Sequence, residues 1–117
     1  MKKKIYLAVP YSHTSDLIRE MRVAQVDAKA AELMEAGYLI FSPISHSHPI
    51  SKYTNKDPQD HAFWLEQDFW ILHMCDEVHI LCLEGWEGSY GVRAEIEEAE
   101  KLGLDVHYHY YIQGQRI

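Results

Sequence analysis

The 117-residue sequence is short of cysteine, of positive charge and of long apolar runs, and each shortage excludes a class of protein. Cys75 and Cys82 are its two cysteines and form no CxxC pair, so neither a disulfide framework nor a zinc knuckle is expected. Both read as ordinary buried thiols of a reducing compartment. Lys and Arg number 11 against 18 Asp and Glu, a net charge of −7 that repels phosphate backbones and argues against a groove for a nucleic-acid polymer. A small nucleotide in a pocket is compatible with that charge. The apolar run behind Met1-Lys2-Lys3-Lys4 stops at Pro10, shorter than the core of a secretion signal and far shorter than a membrane span. A cytoplasmic protein without membrane contact is expected. No repeat, low-complexity stretch or linker divides the chain, and 47% hydrophobic content is enough to bury a core, which predicts one domain over residues 1–117. No GxSxG, Cys-His or triad-like signature is present, which disfavours acyl transfer.

What the chain does contain is a regular alternation of strand and helix patterns. Strand-like runs cover Ile5 to Val9, Tyr38 to Phe41, Glu77 to Leu83 and Asp105 to Tyr110, the first and third nearly continuous in β-favouring residues, as buried parallel strands require. Between them, residues 16–36 read as an amphipathic helix whose apolar stripe is Leu17, Met21, Ala24, Ala28 and Ala31, with Asp16 in its first turn and Gly37 as its stop. Residues 60–75 read as a helix too apolar all round to face solvent, and residues 90–102 as a third helix before Gly103. The order β-α-β-α-β-α-β predicts an α/β protein, a three-layer Rossmann-like or flavodoxin-like fold. Its four-stranded parallel sheet has order 2-1-3-4 and carries helices on both faces. In such sheets ligands bind beyond the carboxyl ends of the strands where the order reverses. That rule selects Pro10-Tyr11-Ser12-His13 after strand one and Glu84 to Gly91 after strand three. The long connection from Ser42 to Asp60, leaving strand two at the same end, is expected to be a lid or a pocket wall.

Several residues in these segments can carry chemistry. Gly88-Ser89-Tyr90-Gly91 opens a helix, where free amides and the positive dipole end attract an anion, although many helices begin with Ser simply as a cap. Glu95 follows in the second turn, within an acidic run that is ordinarily a solvated face, but in phase with Gly91 and beside the core-facing Ile96. Asp68 lies among Phe69 and Trp70, so its carboxylate is expected to be partly buried and either paired or functional. If Asp68 and Glu95 converge, unlike surroundings can raise one pKa and leave the other ionised, the usual apparatus for breaking a glycosidic bond. His46-Ser47-His48, with Asp57, Asp60 and His61 nearby, raises the question of a metal. Imidazoles two apart in a loop lack the helical i, i+4 spacing of metal sites and have no cysteine to support them, so neither metal nor cofactor is expected. His46 and His48 are assigned instead to lining a pocket, where neutral imidazole can bond a base or sugar. His107 and His109 alternate on one face of the last strand and read as structural or interfacial.

These motifs line up with a known superfamily over most of the chain. The sequence resembles the nucleoside 2-deoxyribosyltransferase-like proteins, which include the 2′-deoxynucleoside 5′-phosphate N-hydrolases. Within them it is most similar to a small bacterial and phage group known only as a domain of unknown function. Ile5-Tyr6-Leu7 resembles the first-strand segment whose tyrosine lies in the family's active site. Glu66-Gln67-Asp68, with Cys75-Asp76-Glu77-Val78 behind it, resembles the segment of the catalytic aspartate and third strand. Ser89-Tyr90-Gly91-Val92-Arg93-Ala94-Glu95-Ile96 resembles the Ser-x-Gly-x-x-x-Glu-hydrophobic motif of the phosphate-binding serine and nucleophilic glutamate. The resemblance implies that Glu95 attacks the anomeric carbon of a (deoxy)ribosyl group, that Asp68 assists proton transfer or orients the sugar, and that Tyr6 holds the nucleophile. A glutamate near a helix N-terminus is expected to be kept ionised by the dipole, as a nucleophile requires. Tyr11, Ser12, His46, His48, Ser89, Gly91 and Arg93 are the expected substrate-binding residues, Arg93 either pairing with Glu95 or holding a phosphate. The implied partners are a small nucleoside or nucleoside 5′-monophosphate and, as in relatives, further copies of the chain in a homo-oligomer. The chain departs from the hydrolases after strand one, where Pro10-Tyr11-Ser12-His13-Thr14 replaces a loop containing Gly and Arg. That departure motivates a rival reading, a nucleotide-sensing module without turnover. A metal-dependent hydrolase built on His46, His48 and His61 is the third.

Overall fold

The computed structural model describes residues 2–110. Its elements run β1 (Lys4–Ala8), α1 (Asp16–Glu35), β2 (Leu39–Phe41), α2 (Pro43–Ser51), α3 (His61–Leu72), β3 (Glu77–Cys82), α4 (Tyr90–Lys101) and β4 (Asp105–Tyr110), with a 3-10 turn over Trp86–Gly88. All strand pairs are parallel and the sheet order is β2-β1-β3-β4, so the expected α/β architecture is the observed one. The register sets Tyr6 beside Phe41 on one side and Val78 on the other.

Alternation along the central strands divides the core into two layers. Leu7 and Val9 with Leu81 and Leu83 meet Val26, Ala30 and Leu33 of α1 on one face. Tyr6 and Ala8 with Val78, Ile80 and Cys82 meet Leu72 of α3 and Val92 and Ala99 of α4 on the other. Both cysteines are free and buried. Ser15 caps α1 by accepting from the Ile18 amide, and the chain leaves the helix through Gly37 at φ 102°, a left-handed turn that costs glycine nothing.

Two expectations about the helices are corrected. The stripe Leu17, Met21, Ala24, Ala28 and Ala31 faces solvent, with Leu17 70% and Met21 50% exposed, while Val23, Val26, Ala30 and Leu33 face the sheet. α1 carries apolar residues on two sides, and the side with Val26 and Leu33 buries the larger branched side chains against the sheet. The connection after β2 holds the helix α2, capped by Ser42 with Pro43 in its first turn. Proline is favoured at that position because its missing amide has no helical partner there.

Candidate active site

A cleft enclosing about 660 Å³ of empty space, open solvent at its mouth included, lies beyond the carboxyl ends of β1 and β3. Four segments wall it. Val9, Tyr11 and Ser12 come from the end of β1, and Ser89, Gly91 and Glu95 from the start of α4. α2 turns Ile44, Ser47, His48 and Ser51 inward, a set spaced three and four apart that forms one helical face. α3 contributes His61, Trp64, Leu65 and Asp68 in the same rhythm. The connection after β2 is therefore a pocket wall, as expected.

Glu95 is buried, and the hydroxyl of the fully buried Tyr6 donates to its Oε2 at 2.5 Å. β1 and α4 bring them together because Tyr6 points to the sheet face that α4 covers. Burial pushes the Glu95 carboxyl up to about 8, the Tyr6 hydrogen bond pulls it down and the neighbouring Asp68 raises it further. Asp68, also buried, is pushed up to about 7, with burial as the cause. The Tyr6 hydroxyl is held well above its ordinary value by burial and by both carboxylates. The expectation that Glu95 is kept ionised by the helix dipole fails, because it is the sixth residue of α4 and the dipole acts mainly within the first turn. Nor are the two surroundings unlike: both carboxyls are desolvated, and both are raised.

Ser89 lines the cleft while capping α4, its Oγ accepting from the Val92 amide at 3.2 Å. Its own O–H remains available to a ligand. The Tyr11 hydroxyl lies 2.6 Å from His48 Nδ1, and His48 Nε2–H donates to Glu20 at 2.8 Å, since a carboxylate only accepts. Across the cleft the His61 ring stacks on Tyr90, centroids 4.4 Å apart and planes 19° apart. Arg22 donates to the carbonyls of Ser12 at 3.1 Å and Glu84 at 3.0 Å.

The cleft thus brings together Glu95, Asp68, Tyr11, Ser12, His48, Ser89 and Gly91, with Tyr6 behind Glu95. It leaves out two expected residues. His46 is exposed and packs on Phe41, because in a helix residues two apart project about 200° apart and His46 cannot share the face of His48. Arg93 is exposed for the same reason, two residues from both Gly91 and Glu95. His61, Trp64 and Leu65 were not assigned from sequence as pocket residues, though they precede Asp68 by seven, four and three residues, spacings that put them on its helical face. Among the described residues, no Lys or Arg lines the cleft.

This α/β fold, with its four-stranded parallel sheet, has a counterpart among solved structures. A solved structure of 2-deoxyribosyltransferase from the psychrotolerant bacterium Bacillus psychrosaccharolyticus superimposes with a TM-score of 0.60 at 19% identity, covering 97% of this chain and 76% of that one. The two share a fold. Residues 3–110 match the family described as Domain of unknown function (DUF1937), and the chain belongs to that family. No curated protein matches the sequence.

Proposed function

We propose that the cleft cleaves or transfers the N-glycosidic bond of a nucleoside, with Glu95 as nucleophile and Asp68 as the acid. The observation that carries this reading is the pair of buried carboxyls in one cleft, one of them held by a buried tyrosine. A Glu95 oxygen bonds to the anomeric carbon as the carbon–nitrogen bond breaks, the electron pair leaves on the base, and Asp68 gives that nitrogen its proton. Water or a second base then attacks the same carbon, giving its proton to the Asp68 carboxylate, and the bond to Glu95 breaks with its electron pair returning to the carboxylate. Tyr6 donates to the ionised Glu95 and steadies it before attack. At pH 7 a carboxyl raised in this way is mostly protonated, and a bound substrate can offset the cost of ionising it.

The substrate class favoured is an uncharged nucleoside over a 5′-monophosphate. A phosphate dianion in this cleft would meet two carboxyls and, among the described residues, no Lys or Arg, leaving only the Ser89 hydroxyl and the α4 amides to receive it. The rival reading, a binding module without turnover, draws support from the raised carboxyls, which leave the resting cleft largely neutral. Copies of the chain are proposed to associate, and light scattering reads the oligomeric state.

The deciding experiment measures base release from ribo- and deoxyribonucleosides and their 5′-monophosphates by wild type, Glu95→Ala and Glu95→Gln. Turnover by wild type alone, greatest on nucleosides, is the expected result. Ligand-induced thermal stabilisation of wild type with no base released from any substrate overturns the enzymatic reading in favour of the module.

A further inference from the structure

Away from the cleft, the sheet face covered by α1 carries a second polar cluster. Glu77 and His79 are two apart on β3 and share that face, and the register sets His107 of β4 beside His79. Both Glu77 and His79 are buried, whereas the His107 side chain is about half exposed at 49%. His79 Nε2 lies 3.0 Å from Glu77 Oε1, His107 Nε2 lies 3.6 Å from Glu77 Oε2, and one ligand atom from each residue falls within 4.8 Å of the others. None of the three lines the cleft.

We propose that Glu77, His79 and His107 form a binding site for a single Zn²⁺ ion that clamps the edge strand β4 to β3. A tetrahedral zinc with ligands at about 2.0–2.1 Å sets neighbouring ligand atoms roughly 3.4 Å apart, and the three ligand atoms here, all within 4.8 Å of one another, reach that spacing by small side-chain rotations. Two imidazoles and a carboxylate are a recognised zinc donor set, and three protein ligands leave the fourth position to water on the exposed His107 side. The shell behind the ligands is already built. His79 Nδ1 lies 2.8 Å from His109 Nε2. Once zinc takes the lone pair of His79 Nε2, Nδ1 carries the proton and donates it to His109, which fixes the ring. A protein cation now holds part of the site, since Lys3 Nζ lies 2.7 Å from Glu77 Oε2. The Lys3 side chain is 58% exposed, so it can swing into water when a divalent ion replaces it. Lys29, the buried lysine of α1, is engaged by Glu32 at 3.3 Å.

The test is calorimetric titration of Zn²⁺ into the folded, chelator-treated chain, followed by thermal melts across zinc concentrations. One equivalent per chain is expected, with a melting temperature that climbs as zinc is added. His107→Gln, at a half-exposed position that should not disturb folding, is expected to weaken binding about a hundredfold, and His109→Ala about tenfold. Lys3→Ala, which removes the competing cation, should tighten it severalfold. His73→Ala breaks another His–Glu pair, at Glu98, and should change nothing. No uptake by wild type, equal uptake by wild type and His107→Gln, loss of binding in His73→Ala, or a Lys3→Ala chain that binds no tighter each overturns the proposal.

Discussion

Glu95 and Asp68 make opposite demands on pH if the proposed chemistry holds, since one must be ionised while the other keeps its proton. Below about 7 both carboxyls are protonated and there is no nucleophile; above about 8 both are ionised and there is no acid. The rate of base release is therefore expected to be bell-shaped, with its maximum between those values, and a pH series of kcat/KM checks it. Tyr6→Phe removes the donor that lowers the Glu95 pKa, and because the higher of the two values sets the alkaline limb, that limb should move to higher pH while kcat falls by about 10- to 100-fold. Stability follows from the same shifts with a definite sign. A carboxyl whose pKa is raised on folding binds more protons folded than unfolded through the interval between the two values, so folding weakens as pH rises from about 4 to about 8. Glu95→Gln and Asp68→Asn remove that loss. Each should be more stable than wild type at pH 8, by about 1–3 kcal/mol in denaturant unfolding, with the advantage fading toward pH 4. An Asn or Gln that destabilises at pH 8 would show that the charged forms are better solvated than their burial implies.

The helices show where periodicity could be read and where it misled. In α3, His61, Trp64, Leu65, Asp68 and Leu72 recur at three- and four-residue steps, so the pocket-facing side was present in the sequence. It was hidden by Phe63, Phe69 and Trp70, which made the segment look apolar on every side. In α1 two apolar stripes compete, and the solvent-facing one reads as the core side because alanine, leucine and methionine are strong helix formers wherever they stand. α2 escaped notice because Pro43, Pro49 and four serines or histidines between them resemble loop composition. Only the cap at Ser42 and the proline just behind it mark a start. At α4 the role of Ser89 divides into two measurable parts. Ser89→Ala should lower stability by about 1 kcal/mol through loss of the cap, read by denaturant unfolding. A rise in KM beyond that change identifies the hydroxyl as a substrate contact, whereas an unchanged KM leaves it a cap alone.

For the whole molecule, the sheet order and the position of the cleft were legible because they follow from topology: alternating strands and helices with right-handed crossovers leave few arrangements. Side-chain convergence was less so. That Tyr6 meets Glu95 across 89 residues depends on which face of β1 is turned toward α4, information spread over the entire core. Arg93 and His46 failed for the converse reason, lying near the right residues in sequence but on the wrong side of a helix.

Arg22 joins the carbonyl of Ser12 to that of Glu84, so one guanidinium fastens the segment after β1 to the segment after β3. Gly85 stands beside it at φ 87°, where an added Cβ would come within 3.3 Å of the guanidinium. Two stretches remote in sequence are in this way mechanically one. Hydrogen–deuterium exchange should report it: in Arg22→Lys, which can reach one carbonyl but not both, amides near residues 11–14 and 84–89 should accelerate together, by comparable factors. Acceleration of one stretch alone would mean that each is anchored separately. If they do open in concert, the segments that leave β1 and β3 form one cooperative unit, tied by a side chain that does not itself line the cleft.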